Sequence, residues 1–163
     1  MDLNIRDNVY TSSTAPTFRN MINDYENITF SNNKLHLIGT SYNYGGTYDN
    51  SLLITRKLII EDTTTYKQYE YDLGTTNNFP YDVICTDGKS KKYSWYDAEV
   101  DISNLPKGTY SVQVYTKTTD AIDYGEVVDD FQVHEEISKT IGSNSYKVTR
   151  NNNRNNRIEI IVE

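Results

Sequence analysis

The segment AEVDISNLPKGTYSVQVYTKT, residues 98–118, constrains this fold more than any other stretch. Val100 and Ile102 alternate with Glu99, Asp101 and Ser103, the period of two of a half-buried strand. Asn104-Leu105-Pro106-Lys107-Gly108 then supplies a turn. Proline fixes φ and removes a donor, and Gly108 is expected to use its freedom to adopt a positive φ. Tyr110, Val112 and Val114 alternate again, against Ser111, Gln113 and Tyr115. A leucine at the turn and a tyrosine just beyond it predict a tyrosine corner, in which the phenol bonds nearby backbone and closes the turn. Strands joined in this way belong to two stacked antiparallel sheets. Tyr110, Val112, Val114, Leu58 and Ile60 are expected in the core between them.

The rest of the chain reads as short strands and turns. Residues 1–17 are polar, with Pro16 as a break, and predict a loose arm. Phe18, Met21, Ile22 and Tyr25 fall at helical spacing and predict one or two helical turns. Ile28 and Phe30, then Ser31-Asn32-Asn33, then Leu35, Leu37 and Gly39 read as a hairpin. Gly45-Gly46 and Asp49-Asn50 mark a loop flanked by Tyr42, Tyr44 and Tyr48. LLITRKLIIED is the most apolar run and predicts a central strand. Thr63-Thr64 turns it, and TYKQYEYDL returns. Phe79-Pro80 breaks the pattern before YDVIC, a short strand. Asp87-Gly88 is a turn, with Lys89, Lys91 and Lys92 expected on an exposed loop. VVDDFQVHEE alternates imperfectly. Residues 138–145 read as a connection, and Tyr146–Thr149 with Arg157–Val162 as a last hairpin about NNNRNN. About eight to ten short strands at regular spacing make an all-β chain. The expected organisation is an arm at 1–17, a sandwich over 18–135, and a C-terminal hairpin over 136–163 within the same domain.

Composition narrows the classes. The chain has 163 residues, enough for one good-sized domain. Its apolar content is low, 36%, with a mean hydropathy of −0.70. Fifteen tyrosines compensate, because each buries a large ring and keeps a polar tip. A net charge of −7 argues against nucleic acid or an anionic membrane as partner, since phosphate contacts need clustered cations. Arg150, Arg154 and Arg157 are the local exception and read as a solvated hairpin loop. The single cysteine, Cys85, allows no disulfide within the chain and no cysteine-based zinc site. No stretch approaches the roughly 18 apolar residues of a membrane helix, so no membrane insertion is expected. The polar N-terminus lacks the apolar region of a signal peptide and resembles the end of a linker, which predicts a piece of a longer protein.

Catalytic chemistry has little support. His36 and His134 are the two histidines, and no nucleophile motif accompanies either. Asp97 with Asp101, Asp120 with Asp123, and Asp129 with Asp130 suit the solvent face of an acidic sandwich as well as they suit glycoside chemistry. No calcium-loop pattern is present. The chain is therefore expected to be no enzyme and to need no metal or cofactor. The aromatic loops are the better candidates. Tyr42, Tyr44, Tyr48 and Trp95 stand beside Asn, Asp and Gly residues, a composition that suits stacking on the C–H face of a sugar. Trp95 and Tyr96 point to opposite faces of an extended chain, so one is expected on that surface and the other in the core.

KLHLIGTSYNYGG, RKLIIED, YKQYEYDLG and AEVDISNLPKGTYSVQVYT together resemble the Ig-like accessory domains of Firmicutes cell-envelope proteins. The resemblance covers residues 28–118. It implies an Ig-like antiparallel β-sandwich with a non-catalytic role in glycan or cell-wall binding, or in protein assembly. It implies a place outside the cell or at the envelope, with a cell-wall glycan or another envelope protein as partner. Two other readings stand beside it. One is a spacer or oligomerisation domain of a teichoic-acid-type wall-polymer transferase, which would place the chain on the cytoplasmic face. The other is a small glycan-active hydrolase.

Overall fold

The computed structural model describes residues 21–43, 45–76, 88–120, 122–126, 136–154 and 157–163, with backbone alone for 21–26, 43, 123–126 and 154. The expected arm at 1–17, the YDVIC strand with Cys85, and residues 127–135 with His134 lie outside the described residues. Ten strands are described, and the protein is an all-β sandwich of two antiparallel sheets.

The smaller sheet has the order β1-β2-β5, with β1 at Met21–Ser31, β2 at Lys34–Asn43 and β5 at Trp95–Val100. β1 and β2 form the expected hairpin, and Asn32 and Asn33 take φ of 49° and 60° at its turn. Asparagine tolerates this left-handed pair better than most residues. The helical turns expected around Met21, Ile22 and Tyr25 are instead the first half of β1, in register from Met21↔Asn43 to Tyr25↔Gly39. A stripe of four side chains stabilises an isolated helical turn poorly, whereas extending a hairpin adds a ladder hydrogen bond at every second residue.

The larger sheet has the order β4-β3-β6-β10-β9-β8, and β7 also pairs with β6. β3 is Thr55–Asp62, β4 Gln68–Asp72 and β6 Gly108–Lys117. β7 is Ile122–Glu126, β8 Ile137–Ile141, β9 Asn144–Asn151 and β10 Arg157–Val162. β6 is the hub. Its Tyr110–Lys117 edge pairs with β3. Its other edge is shared, Gly108–Ser111 with β10 and Gln113–Lys117 with β7. The apolar run LLITRKLIIED is a central strand from Thr55 onward, paired with β4 on one edge and β6 on the other, but Leu52 and Leu53 lie in an exposed 3-10 turn. Residues 138–145, expected to be a connection, are instead most of β8 and the start of β9, paired across a turn in which Gly142 takes φ of 64°.

The two inner faces share one core. Leu35, Leu37, Tyr96 and Val100 from the small sheet meet Leu58, Ile60, Tyr110, Val112, Val114, Tyr146, Ile158 and Ile160 from the large one. The five expected core residues are all buried there. The centre of the large sheet is buried on its other face too, by Ile59 and by Glu61, Ser111, Gln113 and Glu159. Gln68 donates to Glu61 at 2.8 Å and Asn151 to Glu159 at 2.9 Å.

The corner carries the chain from β5 in one sheet to β6 in the other. Tyr110 Oη donates to the Pro106 carbonyl at 2.6 Å, as the sequence predicts. Two further tyrosines pin the same loop: Tyr146 to the Ser103 carbonyl at 3.1 Å, and Tyr71 to Asn104 Oδ1 at 2.8 Å. Gly108 corrects the expectation of a positive φ, because it is not among the left-handed residues. A Cβ there would stand 3.2 Å from Asp62 Oδ2 and 3.6 Å from the Tyr110 ring. Glycine serves close approach at this position and not backbone freedom.

Candidate functional site

Strand alternation sorts the small sheet into two faces. On β2, Leu35, Leu37, Gly39 and Ser41 are buried, and His36, Ile38, Thr40 and Tyr42 are half-buried on the outer face. On β5, Tyr96 and Val100 are buried, and Trp95, Asp97 and Glu99 share the outer face. The register sets Trp95 opposite Thr40, Asp97 opposite Ile38 and Glu99 opposite His36. Tyr42 is then the diagonal neighbour of Trp95, close enough for large rings to form one surface. Of Trp95 and Tyr96, the tryptophan is outward and the tyrosine is core, the division that an extended chain predicts.

The polar groups of this face lie one step along. His36 Nε2 is 2.6 Å from Asp97 Oδ1. Thr29 stands opposite His36 on β1. The face thus combines two aromatic rings with an imidazole, carboxylates and hydroxyls, all on β-strands and not on loops. Among the described residues no group of three His, Cys, Asp or Glu side chains could hold a metal ion.

One further expected ligand contact, Tyr48, is placed differently. Tyr48 is only 1% exposed. Its ring meets Tyr42 edge-on, with centroids 6.4 Å apart. It supports the surface from beneath and presents no free face to a sugar. Tyr44 lies outside the described residues.

The Gly45-Gly46 loop is tied down. Tyr48 N donates to the Ser90 carbonyl at 2.9 Å, and Tyr93 N to the Tyr48 carbonyl at 2.8 Å. Asp120, just after β6, accepts from Thr47 N at 2.9 Å, Thr47 Oγ1 at 2.7 Å, Lys89 Nζ at 2.9 Å and Thr118 Oγ1 at 2.9 Å. Burial pushes the Asp120 carboxyl up, but the bonds from Thr47, Lys89 and Thr118 outweigh it and hold the group well below the usual carboxylate range. Lys89 also donates to the Gly45 carbonyl at 2.6 Å.

The lysines correct the expectation of an exposed loop. Lys92 is exposed and Lys89 half-buried, but Lys91 is fully buried. Its Nζ donates to the Gly46 carbonyl and stands 5.5 Å from the Tyr48 ring and 6.0 Å from the Tyr42 ring. Aromatic faces and a carbonyl solvate the ammonium in place of water.

Arg56 completes the support and was not singled out from the sequence. It is 1% exposed and lies on the inner face of β3. Nη2 donates to the carbonyls of Ser41 at 3.0 Å and Tyr93 at 3.1 Å. Nη1 donates to those of Trp95 at 3.3 Å and Gly74 at 3.5 Å. One guanidinium thus fastens the end of β2, the start of β5 and the exit of β4 directly behind Tyr42 and Trp95. The readable signal was phase: Arg56 stands two residues before Leu58 and four before Ile60, on the core face. Burial pushes the guanidinium down to about 10, with the electrostatic influence of Tyr48 and Tyr96 opposing the shift.

No protein-family model matches this chain, and no curated protein matches it.

Proposed function

We propose that the protein is a non-catalytic module of a bacterial cell-envelope protein that binds glycan on the outer face of its small sheet. The observation that carries this reading is the β2–β5 register, which brings Tyr42 and Trp95 onto one face, both partly open to solvent. Rings of this kind stack on the C–H face of a sugar, while Thr40, His36 and Asp97 offer hydrogen bonds to hydroxyls. The Arg56 and Asp120 contacts behind the face hold it in a fixed shape, which lowers the cost of ordering on binding. A few stacking contacts supply about −4 to −6 kcal/mol, so affinity falls in the high-micromolar to millimolar range. Binding is nearly independent of salt, because hydroxyl contacts release no counterions.

The test is titration with wall-derived oligosaccharides, followed by Trp95 fluorescence and amide chemical shifts. Shifts at Thr40–Tyr42 and Trp95 that vanish in Trp95→Ala are expected. No movement at millimolar ligand rejects the reading. A second reading, assembly, is favoured by one observation: Leu52 is 90% and Leu53 53% exposed at the β2–β3 loop tip. Concentration-dependent sedimentation that Leu52→Asp abolishes would support it.

A further inference from the structure

The outer face of the small sheet carries charge as well as rings. Trp95, Asp97 and Glu99 follow one another on it along β5. Successive members stand about 7 Å apart, two residues of extended chain. Both carboxylates are exposed. Asp97 keeps 42% of its side chain open, and its described contact uses Oδ1 alone, with His36 Nε2 at 2.6 Å. Glu99 stands opposite His36 and joins no ion pair among the described residues.

The balance of charge beside Trp95 is therefore negative. Lys34, two residues before His36, comes opposite Asp101 when the register is carried one step past Leu35↔Val100. That leaves Asp97 and Glu99 with one histidine between them, and the surplus is negative whichever form the imidazole takes. Lys92 lies on the other side of Trp95 along the chain, over the Tyr93 ring at 5.4 Å.

A sugar ring stacked on Trp95 thus has a carboxylate at the next outward position of the same strand. An ammonium group on that sugar gains twice. Its N–H groups are charge-assisted donors to a carboxylate, and its charge is drawn to the face of an aromatic ring. An acetamido group donates one neutral N–H and brings no charge. A sugar carboxylate or phosphate meets like charge on this side of the rings.

We propose that the outer face of the small sheet selects amino sugars, glycan that carries free, protonated amino groups, with Trp95 stacking on the ring and Asp97 and Glu99 receiving the ammonium. The rings locate the ligand, and the carboxylates decide its charge. The inference rests on the glycan reading above and names the substrate class of that same site.

Trp95 is the single tryptophan of the chain, so intrinsic tryptophan fluorescence reports this face alone. The experiment titrates the whole chain with two oligosaccharides of equal length, the tetramers of glucosamine and of N-acetylglucosamine, at a pH where the amines are protonated. At low salt the glucosamine tetramer should bind about fivefold more tightly, the equivalent of one solvent-exposed ion contact near 1 kcal/mol. The ratio of the two affinities should fall toward one when Asp97→Asn and Glu99→Gln are combined. It should fall likewise as sodium chloride is added, because exposed charges are screened, while the neutral tetramer binds independently of salt. The salt series tests the same point without any variant. Equal affinities at low salt overturn the inference and leave glycan binding standing. So does a preference for the N-acetylated tetramer, or a preference for the amine that the double variant or high salt retains. No fluorescence change with either tetramer at millimolar concentration rejects this inference and the glycan reading together.

Discussion

Tyr110 shows how single tyrosines let a chain poor in aliphatic residues build a core. Its ring is fully buried and meets Tyr69 edge-on at 6.1 Å, while its hydroxyl reaches the Pro106 carbonyl. One side chain thus fills the core and closes the corner. Tyr110→Phe keeps the ring and removes the bond, so it should lower stability by about 1 kcal/mol, the net value of one hydrogen bond. A shift of the urea midpoint with unchanged slope would report this. A melt that overlays the parent would show that the corner bond contributes nothing. Arg56 sets a harder problem, since its side chain is charged and buried. Four carbonyls supplied by three separate backbone segments solve it, and the result is a fastening that no local sequence pattern encodes.

Among the elements, the loop between β2 and β3 gains its order from outside itself. Gly45-Gly46 has no side chains with which to anchor, and the anchors come from Lys89, Lys91 and Asp120. Asp120→Asn keeps an acceptor oxygen but loses the charge and the pair with Lys89. Its side chain is one-third exposed, so solvent screening limits the loss to about 1 kcal/mol. The sign of the pH dependence follows from a depressed carboxyl. The stabilisation is complete above the unfolded value of about 4 and is lost as pH falls through the lower folded value. Urea melts of parent and variant should therefore differ at neutral pH and converge on acidification. A difference that persists at low pH would locate the effect elsewhere.

For the whole molecule, the same tyrosines set the alkaline limit. Burial pushes Tyr71 and Tyr110 up to about 12, and raises Tyr115. An unfolded tyrosine ionises near 10, so between roughly pH 10 and 12 the folded state holds more protons than the unfolded. Stability must fall with rising pH across that window. Arg56 opposes this, since its lowered value makes the folded state lose a proton first, but among the described residues it stands against these three tyrosines and Lys57, which its bond to Glu70 raises. Equilibrium unfolding from pH 8 to 11.5 should show the decline, and Tyr110→Phe should flatten it. A stability curve that rises over this range would mean that Arg56 dominates.

Residues 98–118 determined the fold class by themselves. Alternation at period two, a proline–glycine turn and a tyrosine two residues past the glycine are local signals, and local backbone physics turns them into strand, corner and strand. The Asn32-Asn33 hairpin was legible for the same reason. Sequence also divided Trp95 from Tyr96, because alternation fixes opposite faces whatever lies across the sheet. Tertiary structure alone decided the rest. Whether residues 21–25 coil or extend depended on a partner strand ending at Asn43. Whether Lys91 is a solvated loop cation or a buried one depended on the rings of Tyr42 and Tyr48 arriving from elsewhere in the chain. Tyr48 became support and not surface through the pairing of its backbone with Ser90 and Tyr93, more than forty positions away. Periodicity reports which face a residue takes, but burial is a property of what packs against that face, and those contacts are made between segments far apart in sequence.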